Sequence, residues 1–215
     1  MRFLKLQVLF LLLAVIVVGA VGADVVLKNR AETELAAQIA NRVPDTTGVR
    51  TRIRSFPFVG RLLVSGQVSH VDVTAQRSAA GGVALSDIRV RAEEVEMDTD
   101  AAMGGRAVVR SIKRGSVRAD LRQDEINSRL PRGFQVQLQP GAAVVSGPGG
   151  AQAKVTVTPE GKIQLRIANR SLLDLALPET AMLPCRPTTE FVTGALRLSC
   201  AFTEVPKLLL DLARR

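Results

Sequence analysis

One pair of side chains in the sequence has catalytic potential, His70 and Asp72. They would share one face of an unbroken strand, where a carboxylate can orient an imidazole as a general base. A hydrolase also needs a positioned nucleophile. The chain contains neither the Gly-x-Ser-x-Gly turn of esterases nor the His-Glu-x-x-His helix of zinc proteases. We therefore interpret His70, the only histidine, as structural and predict that the protein is not an enzyme and has no catalytic residues.

Metal and phosphate chemistry is also disfavoured. Glu93-Glu94 and the acids Asp98 and Asp100 could bind a hard cation, but they lack the spacing of a calcium loop. The glycine-rich run at 147–150 precedes a strand pattern, whereas a phosphate loop leads into a helix. We predict a turn at 147–150, no metal site and no cofactor.

The N-terminal residues have the pattern of a membrane-targeting signal. Leu6–Ala23 carries no charge, and Arg2 and Lys5 precede it. At about 1.5 Å per residue this run reaches roughly 27 Å, close to the hydrocarbon thickness of a bilayer. We predict a signal-anchor or transmembrane helix over residues 1–23, located in the cell membrane, with residues 24–215 as a single domain on the extracytoplasmic side. Cleavage of the signal, which would give a secreted protein, stays open.

The exported part is basic. Two of the 29 lysines and arginines lie in the first 23 residues, so 27 cations remain against 20 acids, a net charge of +7. Anionic phospholipid headgroups or acidic envelope polymers suit such a surface. Nucleic acid is not expected, because Trp and Tyr, which would stack on bases, are absent. A generally soluble basic surface is the alternative, and the oligomeric state is not defined by the sequence.

Cys185 and Cys200 are the only cysteines of the chain. Disulfides persist outside the cytoplasm, so we predict that these two residues are bridged. Closing a loop of about 15 residues contributes on the order of 3 kcal/mol to the free energy of unfolding in the chain-entropy model. Two cysteines far from the histidine do not make a zinc site.

Residues 24–43 have the pattern of an amphipathic helix that continues from the anchor. Apolar side chains, including Leu35 and Ile39, cover about half of its circumference, and Pro44 ends it. Glu32 lies within the apolar half and does not fit the pattern.

After the helix the apolar residues alternate with period two, and the phase changes once in each of three long stretches. The changes fall at Ser69-His70, at Glu93-Glu94 and near Lys113–Gly115. A β-bulge inserts one residue into a strand and bends it, so three neighbouring bulges predict a strongly bent sheet. Two short strands in each stretch are the alternative. Further strands are predicted at Phe134–Leu138, Ala142–Ser146, Ala153–Thr158, Ile163–Ala168 and Ala195–Phe202, and short helices at Asp124–Leu130 and after Pro206.

These patterns predict an α+β fold in which one long helix packs on the apolar face of a large, strongly bent antiparallel sheet. Such an arrangement encloses space. Its lining would consist mainly of Val, Leu, Ile and Ala side chains, which could admit acyl chains.

Two further segments have the composition of membrane contacts. Residues 56–59 place two phenylalanines beside a proline, and Arg52, Arg54 and Arg61 flank them. An apolar tip inside a basic collar suits an anionic interface, and a corner packed in the core is the alternative. Leu208–Leu212 either lies on lipid or caps the core.

Several short motifs carry a family resemblance: the anchor followed by 31–36 (Ala-Glu-Thr-Glu-Leu-Ala), Phe56-Pro57-Phe58 leading to Gly66, Leu130-Pro131 and the ending Cys200–Pro206. With these motifs the chain resembles the LmeA-like phospholipid-binding proteins of the actinobacterial cell envelope. The resemblance implies an exported or anchored protein that binds phospholipid, connected in some members with building lipid-linked mannans. It also implies a fold similar to tubular lipid-binding domains, and no catalytic residues.

We accordingly predict a cell-envelope protein that binds phospholipid, with acyl chains between the helix and the sheet and the headgroup near basic residues at the rim; lipid transfer stays open. The candidate lipid-binding residues are Leu35, Ile39, Phe56, Phe58, Val71, Val73 and Val117. The alternative is a non-catalytic envelope scaffold or interaction protein in lipoglycan or cell-wall assembly.

Overall fold

The computed structural model describes residues 22–41, 43, 45–80, 83–103, 108–148, 154–158, 162–167, 170–176, 185 and 187–203. In chain order, the elements are α1 (22–41), β1 (Thr46–Thr47), β2 (Arg50–Arg54), α2 (Phe58–Ser65), β3 (Gln67–Ala80), β4 (Val83–Met97), α3 (Thr99–Met103), β5 (Val109–Arg122), α4 (Gln123–Asn127), β6 (Gln135–Gln139), β7 (Ala142–Ser146), β8 (Lys154–Val157), β9 (Lys162–Ile167), β10 (Arg170–Ala176), β11 (Thr188–Val192) and β12 (Ala195–Phe202).

Two predicted segments fall outside these residues. They are the anchor, of which only Gly22 and Ala23 are described, and the C-terminal segment that holds Leu208–Leu212 and the helix after Pro206. Among the described residues, no helix is both long enough and apolar enough to cross a bilayer.

The predicted α+β class is confirmed. A seven-stranded antiparallel sheet has the order β1-β3-β4-β5-β12-β11, and β2 also pairs with β3. The strands β3, β4 and β5 are continuous over 14, 15 and 14 residues, so the alternative of two short strands in each stretch is wrong. A hairpin, β6–β7, and a three-stranded sheet, β10-β9-β8, complete the described strands.

The apolar face changes phase where the sequence predicts, but no bulge lies there. In β3 both Val68 and Val71 are buried, although only two residues separate them. In β4 the same holds for Ala92 and Val95, and Glu94 between them has φ 51°. The pairing of β3 with β4 and of β4 with β5 nevertheless keeps one register through these positions.

At these positions the apolar side chains move to the opposite face of the sheet in all of the neighbouring strands. No strand therefore has an extra residue relative to the strand with which it pairs. A bulge bends a sheet by placing two residues of one strand opposite one of the next. The sheet is accordingly not strongly curled, and the prediction of a strongly bent sheet is wrong. Register shifts do occur elsewhere in β4, between Ser86 and Arg89 and between Glu96 and Met97.

The apolar face of the long sheet contributes to two clusters of buried side chains. The first, which we call the α1 core, consists of Ile53, Phe58, Leu62, Val68, Val71, Ala92, Val95 and Met97, with Ala31 and Leu35 of α1 packed against it. The second, the hairpin core, joins β3, β4, β5 and β12 to α4, to the hairpin β6–β7 and to Ile163 of β9. Leu121, Leu196 and Leu198 of the hairpin core are completely buried.

The predicted disulfide between Cys185 and Cys200 is present, with the two Cα atoms 5.9 Å apart, within the usual span of a disulfide. Cys200 is buried in the hairpin core, and Cys185 packs against that core. The bridge therefore ties the segment before β11 to the strand that pairs with β5.

Gly115 has a close neighbour that explains the absence of a side chain in the middle of β5. It pairs with Phe202, and a Cβ atom at Gly115 would lie 2.2, 2.5 and 2.9 Å from three ring carbons of Phe202. We expect Gly115→Val to lower the free energy of unfolding by about 1–3 kcal/mol, because the buried ring must move. Denaturant unfolding measures this change.

The control for Gly115→Val is Ser116→Val, the next residue of the same strand, whose side chain is exposed on the other face. It should change stability by less than about 0.5 kcal/mol. Adding Phe202→Leu to Gly115→Val should recover part of the loss, and equal losses in the two single variants would contradict the proposed steric cause.

Candidate functional site

Most of the large apolar side chains that are exposed in the described residues lie at one end of the molecule. Val25, Val26 and Leu27 come from the start of α1, and the others are Phe56, Leu63 and Val64, from the residues before α2 and from α2 itself. Phe56 is 70% exposed and Val64 is 90% exposed. We call these six residues the apolar end. Exposed apolar patches of this kind mark ligand, protein or membrane contacts.

Asp24 joins the two segments of the apolar end. Its carboxylate accepts hydrogen bonds from the backbone N–H groups of Phe58 (3.0 Å) and Val59 (2.6 Å), at the start of α2. The residue before α2, Pro57, supplies no side-chain cap, and the first turn of α2 has no acid of its own. Asp24 is only 5% exposed, so this carboxylate from α1 takes the place of a local cap.

Glu32 makes a second connection of the same kind. Its Oε1 atom accepts a hydrogen bond of 2.6 Å from the backbone N–H of Ile53 in β2, and Lys28 lies 4.0 Å from it. This contact explains why an acid occupies the apolar half of α1. The helix is therefore fixed to α2 by Asp24 and to β2 by Glu32.

Between and beyond these two contacts α1 is incompletely packed. The apolar side chains Ala31, Leu35, Ala36 and Ile39 all keep part of their surface exposed. The side chains of the α1 core are, by contrast, at most 7% exposed. We call this row of partly exposed apolar side chains, of which Ala31 and Leu35 pack against the α1 core, the seam between α1 and the sheet; its first member, Ala31, lies four residues after Leu27 of the apolar end.

Cations lie around the apolar end and along the adjoining strand. Arg54 and Arg61 are exposed on either side of Phe56, and Arg52 is exposed two residues before Arg54. Arg54 pairs with Asp72 (3.0 Å), and Arg61 donates to the hydroxyl of Ser69. The three arginines that flank residues 56–59 in the sequence are therefore exposed.

Comparison with known protein families agrees with this arrangement. The model of the LmeA-like phospholipid-binding family matches residues 22–199. The chain belongs to this family. The match runs from the first described residue of α1 into β12, so it includes the apolar end, the seam, the α1 core and all of the hairpin core except Cys200 and Phe202. No curated protein and no solved structure matches the chain.

Some of the candidate lipid-binding residues of this LmeA-like chain lie together at the α1 core. Phe58 and Val71 are buried within it, and Leu35 and Val73 pack against it. Ile39 lies one helical turn beyond Leu35 on the partly exposed side of α1. These residues line or support the seam.

The structure separates two candidates from that group. Val117 is 2% exposed and belongs to the hairpin core. Phe56 belongs to the apolar end, whereas Phe58, two residues later, is 4% exposed. Phe58 therefore packs in the core, because the start of α2 turns it inward, and only Phe56 is exposed as a membrane contact requires.

His70 and Asp72 do not form a catalytic pair. Asp72 is bonded to Arg54 (3.0 Å) and to Arg91 (2.8 Å), and these contacts occupy both of its oxygens. His70 instead faces Glu93, with 4.0 Å between Nε2 and Oε1.

Three of the four acids considered for a cation site, Glu93, Glu94 and Asp98, are engaged by basic side chains. Lys113 bonds to Glu94 (2.7 Å), which lowers the pKa of Glu94 and raises the pKa of Lys113. Asp98 accepts from the backbone N–H of Ala101 at α3, and this bond, followed by one from Arg110, lowers the pKa of Asp98. In the part of the chain that the structure describes, no three His, Cys, Asp or Glu side chains are placed to hold a metal ion.

The signals for Asp24 and Glu32 were weak in the sequence. Both are single acids at the start or on the apolar side of a helix, and their partners are backbone N–H groups 21 to 35 residues away. Only the misfit of Glu32 in the helical pattern pointed to such a role.

Proposed function

We propose that this protein binds phospholipid at a membrane of the cell envelope. The apolar end contacts the bilayer, and acyl chains enter the seam between α1 and the sheet. The observation that carries the proposal is that the seam begins beside the apolar end, so a chain leaving the bilayer there would remain against apolar surface. Membership of a phospholipid-binding family supports the same class of ligand.

The energetics of acyl-chain burial favour the seam. Each methylene removed from water contributes about 0.8 kcal/mol in the ideal case, so partial enclosure of a single chain is sufficient for tight binding. The side chains of the α1 core are buried, whereas Leu35 and Ile39 are partly exposed. Binding along the seam requires α1 to shift slightly and leaves the core of the sheet unchanged.

The charge around the apolar end favours anionic headgroups. Arg52, Arg54 and Arg61 lie where headgroups would be when the apolar end touches the bilayer. Each cation near an anionic leaflet contributes roughly 1 kcal/mol, a contribution that falls with added salt.

We place the domain on the extracytoplasmic side of the membrane, with the N-terminal run retained as an anchor. The Cys185–Cys200 bridge supports this placement, since disulfides are rare in the cytoplasm. The uncharged run ends at Ala23, directly before the apolar end, so an anchored domain would have this end toward the bilayer.

The test is crosslinking with a phospholipid that carries a diazirine in its acyl chain. The full chain is reconstituted in vesicles that contain this lipid, irradiated and analysed by peptide mass spectrometry. We expect crosslinks on peptides that hold Leu35, Ile39 and Val73. Val73→Trp should reduce these crosslinks several-fold, because the indole fills the seam.

The matched control is Thr74→Trp, which places the same side chain at the next residue of β3, on the exposed face. It should leave the crosslinks unchanged. Crosslinks confined to the apolar end and to residues 1–23 would reject uptake of acyl chains. Together with the absence of co-purified lipid, that result would favour the envelope scaffold.

A further inference from the structure

The long sheet holds a concave region of about 1150 Å³ on the face that carries the exposed side chains of β2, β4 and β5, and the proposed headgroup contact uses only its edge, at Arg52 and Arg54. Six arginines line it, and we call them the arginine trough: Arg50, Arg52, Arg54, Arg89, Arg91 and Arg118. The acids that line the same region are Glu32, Asp72 and Asp87.

Strand register places two of these arginines directly opposite each other. Arg89 of β4 pairs with Arg118 of β5, and Arg50 of β2 follows in the same row across Thr74 of β3. Like charges that face each other across an antiparallel pair destabilise a sheet. The sequence thus keeps an unfavourable pair at the centre of an exposed face.

The acids that line the trough do not pair with Arg50, Arg89 or Arg118. Asp72 is committed to Arg54 and Arg91, and Glu32 accepts from the backbone of β2. Among the described residues, no carboxylate lies within 4.0 Å of the remaining four arginines, which are Arg50, Arg52, Arg89 and Arg118.

These four arginines form two groups. Arg50 and Arg52 lie on β2, and Arg89 and Arg118 lie two and three strands away in the sheet. With about 4.8 Å between neighbouring strands, the two groups are roughly 10 Å apart. Each guanidinium presents a planar fork of N–H donors that matches a phosphate group.

The trough extends well away from the apolar end. Arg54 lies two residues before Phe56, whereas Arg50 lies four residues farther along the extended strand, or roughly 13 Å at about 3.3 Å per residue. The headgroup layer of one leaflet is only about 5–8 Å thick. A simple phosphodiester headgroup beside Arg54 therefore does not reach Arg50.

We propose that the arginine trough is a second binding site, for a ligand that carries two or more phosphate groups. One phosphate binds between Arg89 and Arg118, where it removes their repulsion, and another binds at Arg50 and Arg52. The hydroxyls of Ser116 and Ser199 line the same region and can donate to phosphate oxygens. Selectivity rests on charge, because the chain has no Trp or Tyr on which a neutral sugar could stack.

The inference does not depend on lipid uptake at the seam. The ligand is either the extended headgroup of a membrane lipid or a soluble phosphorylated compound, and the binding chemistry is the same. The experiment distinguishes these two sources.

The full chain in nanodiscs of zwitterionic phospholipid is titrated with tripolyphosphate and, separately, with inorganic phosphate at matched ionic strength. We expect tripolyphosphate to bind at least tenfold more tightly. Arg89→Gln/Arg118→Gln should weaken tripolyphosphate binding by about tenfold and, without ligand, should raise the melting temperature, since the repulsion is gone. Added tripolyphosphate should raise the melting temperature of the wild type more than that of the variant.

The charge-matched control is Arg30→Gln/Arg132→Gln, two exposed arginines that do not line the trough. Equal loss of affinity in the two double variants would show that the effect depends only on net charge and would overturn the proposal. Equal affinity for the two anions would also overturn it.

Nanodiscs that contain a bisphosphorylated phosphoinositide identify the source of the ligand. If this lipid competes with tripolyphosphate for binding, the site is assigned to a lipid headgroup. If it does not compete, the site is assigned to a soluble ligand. The crosslinks at the seam are expected to be unaffected by the trough variant, so failure of one proposal leaves the other intact.

Discussion

Replacing both Phe56 and Val64 with asparagine is expected to weaken binding to anionic phospholipid vesicles by about 30- to 150-fold. The two side chains are the most exposed members of the apolar end, at 70% and 90%. Their transfer into the bilayer interface should contribute about 2–3 kcal/mol together, somewhat less than full burial, and this converts to the stated loss of affinity. Vesicle co-sedimentation of a form that begins at Gly22, the first residue of the family match, measures the effect without the anchor.

Neutral asparagine is used so that the loss reports on apolar contact and not on charge repulsion. The matched control is Val144→Asn, an exposed apolar residue (47%) on β7, beside the hairpin core and away from the apolar end. It should change vesicle affinity less than twofold. Equal affinities for all three proteins would show that the apolar end does not touch the membrane.

Removal of the Asp24 carboxylate is expected to give the largest loss of stability from a single polar side chain. In Asp24→Ala the N–H groups of Phe58 and Val59 lose their acceptor at the start of α2. Hydrogen bonds to charged groups contribute about 1.5–3 kcal/mol each, with incomplete additivity, so we expect the free energy of unfolding to fall by about 2–4 kcal/mol. Denaturant unfolding of the same form from Gly22 provides the measurement.

Glu34→Ala is the control for Asp24→Ala. Glu34 is an exposed acid on the same helix whose described contact is a hydrogen bond from Gln38, and its loss should change stability by less than about 0.5 kcal/mol. A second readout is specific to the contact, because hydrogen exchange at the amides of Phe58 and Val59 should accelerate in the Asp24 variant alone. Unchanged exchange at these amides would mean that Asp24 does not hold α2.

Much of the fold could be predicted because its signals are local along the chain. The helical period of residues 24–43, the alternation in the long strands and the turn residues around β7 each reflect which side of one element is apolar. β7 and β12 were predicted with the bounds that the structure shows, and β6, β8 and β9 to within one residue at each end. β1, β2, α2, α3, β10 and β11 were not predicted. In α2 the buried residues Phe58 and Leu62 are separated by one turn, a spacing too short to establish a helical pattern in eight residues.

The phase changes in the strands show the limit of what the sequence pattern of a single strand can predict. The positions at Ser69-His70 and Glu93-Glu94 were correct, but the cause assigned to them was not. A bulge and a concerted change of face produce the same pattern in one strand. They differ only in the register with the neighbouring strand, and therefore in whether the sheet bends.

By itself, the sequence determined the α+β class, the disulfide, the basic character of residues 24–215 and the resemblance to a phospholipid-binding family. Composition, periodicity and short motifs are properties of the chain that folding does not alter. Tertiary structure alone decided that Phe56 is exposed and Phe58 buried, that Asp24 and Glu32 hold α1, and that six arginines share one concave face. Each of these depends on which distant strands and helices become neighbours, and the burial and charge of a side chain are set by those neighbours.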